Sequence, residues 1–208
     1  MTRSLALVLA ALLVPVAARA DRRELYTSVE VSPSLLRLTD PVTERYSTTA
    51  GAVGGALTVA YGLTNAIHIG GALHYAQGSD AAFPNARVVL IDGSSSAGAV
   101  FENVTSMGAS LFGLYRFHTR SAMSPVVQAD VGFSTVTYSN VLHIPSGAGY
   151  GVGFPTVHEL AVEIRASARL EYRFGDNLVA GAGAGVLMSP GALRPLGFYF
   201  PMSVGWIW

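Results

Sequence analysis

Five charged residues stand at alternate positions near residue 170: Glu163, Arg165, Arg169, Glu171 and Arg173, with Ser167 between them. Carboxylates and guanidiniums at this spacing can pair with each other, or line a polar path for ions. Elsewhere Glu30, His68, His74, Arg116, Gln128 and Asp130 are the polar residues of otherwise apolar stretches. His68 and His74 are six residues apart; on one extended face they would lie about 20 Å apart, so they cannot share a metal. Two histidine pairings suggest acid–base chemistry, His143 with Ser146 and His158 with Glu159. A serine nucleophile needs a base within hydrogen-bond reach and a third group to orient that base. Sequence proximity supplies neither, so no catalytic residue is assigned. The run Gly181-Ala182-Gly183-Ala184-Gly185 lacks the strand–turn–helix setting of a phosphate loop. Asn103-Val104-Thr105 has the form of a glycosylation acceptor. No cofactor and no metal are expected.

The elements that position these residues are strands. From Leu160 the chain reads LAVEIRASARLEYRF. Leu160, Val162, Ile164, Ala166, Ala168, Leu170, Tyr172 and Phe174 form one register, and the charged residues form the other. A strand sends the two sets to opposite faces, whereas a helix would mix them. The same alternation predicts eight strands, at about 24–37, 49–61, 66–76, 105–117, 125–138, 160–174, 178–188 and 198–208. Their connections alternate between short (62–65, 118–124, 175–177) and long (38–48, 77–104, 139–159, 189–197). All the short turns then fall at one end of the sheet, together with both termini. Aromatics on the apolar register gather at that end: Tyr61, Tyr115, Phe117, Tyr172, Phe174, Trp206 and Trp208. Tyr75, Phe198 and Phe200 are expected at the opposite level. Two aromatic girdles about an apolar band, with short turns on one side and long loops on the other, are the features of a barrel in lipid.

Composition narrows the class further. The chain has 208 residues, half of them hydrophobic, with 13 basic and 13 acidic residues and no cysteine. A disordered chain, a disulfide scaffold and a binder of nucleic acid by bulk charge are all excluded. Arg3, the apolar run 5–18 and Ala18-Arg19-Ala20 read as a signal peptide cleaved after Ala20. Residues 1–20 are thus a leader, and residues 21–208 form one domain with 11 arginines against 13 acidic residues. No later run is long enough for a spanning helix. Length also limits the number of strands. Sixteen would leave nothing for loops, and ten would require the strand-like Arg87–Ile91 to form a hairpin in the second long loop.

With these residues in view, the chain resembles the small outer-membrane β-barrel proteins of Gram-negative bacteria, of the OmpA/OmpX-like kind. The resemblance covers nearly all of the mature chain and includes the terminal stretch FYFPMSVGWIW. In that group the last strand resembles an assembly signal. Trp208, Trp206, Val204, Met202 and Phe200 match its pattern, with tryptophan where phenylalanine is commonest. The resemblance implies an eight-stranded antiparallel up-and-down transmembrane barrel in the outer membrane. Its implied partners are outer-membrane lipids and the outer-membrane assembly machinery.

Eight strands enclose an interior just wide enough to be filled by side chains. Glu30, Arg116, Asp130, Glu163, Arg165, Arg169, Glu171 and Arg173 are expected to fill it as a polar network of paired charges. A structural or surface-interaction role follows, with no enzyme activity and an unidentified surface partner. The alternatives are a narrow conduit for ions or small solutes, a lipid-modifying enzyme, or a secreted soluble barrel of lipocalin type. In the last case the apolar register would face inward.

Overall fold

The computed structural model describes residues 24–39, 46–79, 81–89, 95–117, 122–143, 157–190 and 196–208. The signal-peptide reading lies outside these residues. Among the described residues there are ten strands: β1 (Leu25–Thr39), β2 (Tyr46–Gly62), β3 (Ile67–Gly78), β4 (Ala81–Val89), β5 (Ser95–Arg116), β6 (Met123–His143), β7 (Val157–Phe174), β8 (Leu178–Met188), β9 (Leu196–Tyr199) and β10 (Met202–Ile207). Every pairing is antiparallel.

The wall is a closed eight-strand barrel. β9 and β10 are two parts of one closing strand; both pair with β8 on one side and with β1 on the other. The register passes unchanged across the interruption, from Ser34↔Tyr199 to Val31↔Met202. Prolines cause the interruption. Pro201 in the closing strand and Pro33 in β1 have no N–H to donate, so each removes a rung. The chain still bridges the gap, since Phe200 N donates to Pro33 O at 2.9 Å and Gly183 N to Pro201 O at 3.0 Å.

β4 corrects the reading of residues 77–104 as a loop. Among the described residues it pairs with the outer part of β5 alone and takes no place in the closed wall. β5 leaves β3 above Val104 and continues between β4 and β6. Arg87–Val89 does join a hairpin, but the wall keeps eight strands. β5 has 22 residues and β6 has 21, whereas crossing a bilayer takes about 9–11. His143, His158 and Glu159, expected in a loop, extend β6 and β7 instead.

The apolar register faces outward, which removes the lipocalin-type reading. Leu57, Leu73, Leu111 and Val131 are between 55% and 71% exposed on the outer wall. Such a continuous apolar belt is not stable against water and marks a surface solvated by lipid. At the short-turn end, outward aromatics two residues apart touch each other. Ring centroids lie 4.7 Å apart for Tyr115–Phe117, 4.6 Å for Tyr172–Phe174 and 6.1 Å for Trp206–Trp208. The turn after β7 is closed by Gly175 at φ 63°, a conformation that disfavours any side chain.

Candidate functional site: the lumen

The lumen has three zones. At the short-turn end lies an apolar plug of Tyr26, Ala60, Phe112, Leu114, Val126, Val179 and Ile207. Tyr26 is 1% exposed and lies flat over Gly205, where an added Cβ would stand 2.6 Å from the ring. The Arg116 guanidinium sits 5.8 Å from the centre of the same ring, within cation–π range.

Above the plug is a ladder of charges. Arg116 donates to Glu171 Oε2 from Nε at 3.0 Å and from Nη2 at 2.8 Å. Arg169 Nε lies 3.3 Å from Glu171 Oε1, and its Nη1 lies 3.5 Å from Glu30 Oε2. Arg169 Nη2 donates to Gln128 Oε1 at 2.7 Å, and Gln128 Nε2 donates to Asp130 Oδ1 at 2.7 Å. Higher still, Arg165 pairs with Glu163, and His74 Nε2 lies 3.4 Å from Glu163 Oε1. Here a charge without a partner would be costly, because little water can reach it.

Seven of the eight charged residues expected in the lumen are therefore brought together there. Arg173 is the exception. It is exposed, and its Nε donates to the Asp176 backbone carbonyl at 3.0 Å. It occupies the last inward position before the turn, beyond the mouth of the barrel, where the turn carbonyl is the nearest acceptor. Phe200, Met202, Val204, Trp206 and Trp208 all face outward on the closing strand. The end of that strand is fixed on both sides. Trp208 N donates to Leu25 O at 2.9 Å, and Asn177 Nδ2 donates to Ile207 O at 2.7 Å.

The third zone has no counterpart in the sequence reading. At the long-loop end a cavity is lined by Leu36, Leu38, Ala50, Ala52, Val104, Val136 and Leu187, with Ser32, Ser34, Ser106 and Ser134 among them. His74, Glu163, Arg165 and Tyr199 form its lower part. The signal was present as a loss of alternation at strand ends, where Leu35-Leu36 and Val186-Leu187-Met188 place apolar residues on both faces. Ser146 of the His143 pairing lies outside the described residues. His158 and Glu159 are neighbours in β7. Among the described residues no group of three or more His, Cys, Asp or Glu could hold a metal ion.

No protein-family model and no curated protein matches the chain. Solved structures do. Neisserial surface protein A shares 13% identity at a TM-score of 0.54, over 88% of this chain and 95% of its own. The outer membrane protein OprG from Pseudomonas aeruginosa shares 9% at 0.51, over 91% and 98%. The attachment invasion locus protein Ail of Yersinia pestis, solved with the heparin analogue sucrose octasulfate, shares 13% at 0.50, over 90% and 100%. At such identities the likeness is one of fold: this chain folds as the small eight-stranded outer-membrane barrels do.

Proposed function

We propose that the protein is an outer-membrane barrel with a structural or surface-interaction role, exported by a leader cleaved after Ala20. The observation that carries this reading is the tongue of β4, β5 and β6. Its strands rise beyond the closed wall at the long-loop end, where β5 is paired with β4 from Ser95 to Phe101. A strand about twice the length needed to cross a bilayer presents its outer half to the medium. The plug and the charge ladder support a sealed lumen, which argues against a conduit. Lipid surrounds the apolar belt, and the closing strand ending in Trp208 is the segment offered to the assembly machinery.

The absence of cysteine makes the test direct, because any introduced thiol is unique. Ser96→Cys, in the tongue, should react with a membrane-impermeant maleimide in intact cells. Val29→Cys, in the belt, should not. Labelling of Ser96→Cys only after lysis would overturn the surface role. In planar bilayers the unmodified protein should give no steady conductance, and a large steady one would overturn the sealed lumen.

A further inference from the structure

We propose that Glu30 and Asp130 share one proton across a small polar chamber in the middle of the lumen, and that losing this proton in alkaline medium weakens the barrel. The inference rests on the sealed lumen above, because a surplus charge is costly only where water is scarce.

The chamber has a volume of about 20 Å³, room for a single water. It shares Arg165 and Tyr199 with the floor of the cup-shaped cavity at the long-loop end. Glu30 on β1 and Asp130 on β6 line it, and Thr58, Ser110 and Ser167 add hydroxyls. Both acids are buried, Glu30 at 8% exposure and Asp130 at 7%. Their carboxyls are near enough for like charges to repel.

The seven charged residues brought together in the lumen are four carboxylates and three guanidiniums. With all seven ionised, one negative charge is left over. Hydrogen bonding shows where it falls. Glu171 accepts twice from Arg116, and Glu163 accepts from Arg165. Among the described residues, the donor to Asp130 is the neutral amide of Gln128, and Glu30 accepts no hydrogen bond. Arg169 Nη1 lies 3.5 Å from Glu30, but the same guanidinium faces Glu171 and donates to Gln128. Arg165 stands opposite Asp130 in register, but its Nε donates to Glu163. Two carboxyls that face each other without enough positive charge keep one proton between them. The proton cancels the surplus and turns one carboxyl into a donor, able to reach the other directly or through the one water that the chamber admits.

The other titratable groups of the lumen do not supply the missing charge. On β3, His68 stands at the short-turn end beside Gly62. An imidazolium at His74 would bury two donors that have no hydrogen bond among the described residues, and Glu163, 3.4 Å away, is already paired with Arg165. Tyr26 on β1 and Tyr199 on β9 carry no positive charge in either state. Among the described residues, β2, β8 and β10 bring no titratable side chain to the lumen.

The test is urea unfolding of the full mature chain, read by gel mobility from about pH 7 to about pH 9, beside Glu30→Gln and Asp130→Asn. In this range the unfolded chain has lost the proton and the folded barrel holds it. The parent's folded-to-unfolded ratio should therefore fall about tenfold per pH unit, until the barrel releases the proton and the decline ends. Each variant leaves three carboxylates against three guanidiniums, and both should lack this slope. Titration elsewhere in the chain is common to parent and variants and cancels. A second readout needs no unfolding. In an ester-free detergent, the infrared spectrum of the folded parent at neutral pH should contain the carbonyl band of a protonated carboxyl. That band should vanish in Glu30→Gln and in Asp130→Asn alike, because either change frees the remaining acid to ionise. Equal slopes in parent and variants, or no such band in the parent, would overturn the proposal. So would stabilisation of the parent alone by sodium chloride, which would put a metal ion in the chamber. Conductance in planar bilayers reports the seal, so a leaking lumen and a missing proton are told apart.

Discussion

Glu171 shows what a single residue contributes to this lumen. Its side chain is 2% exposed and its two oxygens serve Arg116 and Arg169. Glu171→Ala leaves two guanidiniums short of a partner in a space where little water can reach them. Breaking a buried pair costs about 3–5 kcal/mol. Urea unfolding followed by the shift in gel mobility between folded and unfolded barrel should show a loss of that order. Arg173→Ala is the matching control: its side chain is exposed at the rim, so the loss should stay within about 0.5 kcal/mol. Gly205→Ala tests the plug from the other direction. The added methyl would press on the Tyr26 ring, and overpacking of this kind costs about 1–3 kcal/mol. An unfolding midpoint unchanged in Gly205→Ala would mean that the plug has room to relax. The identity of the inward residues was legible in the sequence, because each sits on the polar register of a strand. Their partners were not. Arg116 and Glu171 are 55 residues apart, and only the curvature of the closed wall brings them into contact. Arg173 shares the register of Arg169 but not its depth, and depth is set by strand tilt.

At the scale of the element, β7 makes the orientation testable. Leu160, Val162, Ile164 and Leu170 face out, while Glu163, Ser167, Arg169 and Glu171 are buried. Nitroxides at Ile164 and Ala168 should be relaxed more by lipid-soluble oxygen than by a water-soluble reagent, and nitroxides at Arg165 and Ser167 should not. Ile164→Arg should destabilise the inserted barrel by about 2–4 kcal/mol, because the charge would face hydrocarbon. The closing strand calls for a different comparison. Trp208→Ala should lose about 1–3 kcal/mol of apolar burial and still refold into detergent. If the residue is also an assembly signal, the variant should be depleted from outer membranes in cells. Insertion in cells at the parental level would remove that role. Strand identity was legible because period-two alternation is local. The pairing of β4 with β5 was legible only as the strand-like run Arg87–Ile91, since the neighbouring Gly, Ser and Pro residues read as loop. The cup was hidden for a related reason: where both registers turn apolar, alternation no longer reports which face is which.

The whole molecule is a barrel with its apolar surface outside and its polar groups inside. Among the described residues, the charges of the wall's interior sit between an apolar plug and an apolar cup. This arrangement predicts how the protein partitions. It should resist extraction from outer membranes by high salt and by urea, and yield to detergent. Release by salt alone would mean that the belt does not contact lipid. Fold class was readable from the sequence because lipid admits few spanning solutions: helices, or barrels without edges. With no apolar run of helix length after residue 20, alternation left the barrel. What the molecule does at the surface was not readable, since a barrel wall fixes the position of its outer strands and not their chemistry.

The proline in the closing seam has a mechanical consequence. Hydrogen bonds between β1 and the closing strand form two blocks, Tyr26–Val31 against β10 and Ser34–Arg37 against β9, separated by the rung that Pro33 cannot make; Pro201 turns its ring nitrogen to β8 instead. A seam built in this way tears in stages. Force applied to Trp208 along the barrel axis should peel β10 as one event, halt at the proline step, and then release β9 as a second. Pro33→Val restores an N–H that faces the closing strand and should bring the two events closer in force. A single rupture in the parent chain, recorded by force spectroscopy in a supported bilayer, would show that the seam behaves as one continuous zipper despite its gap.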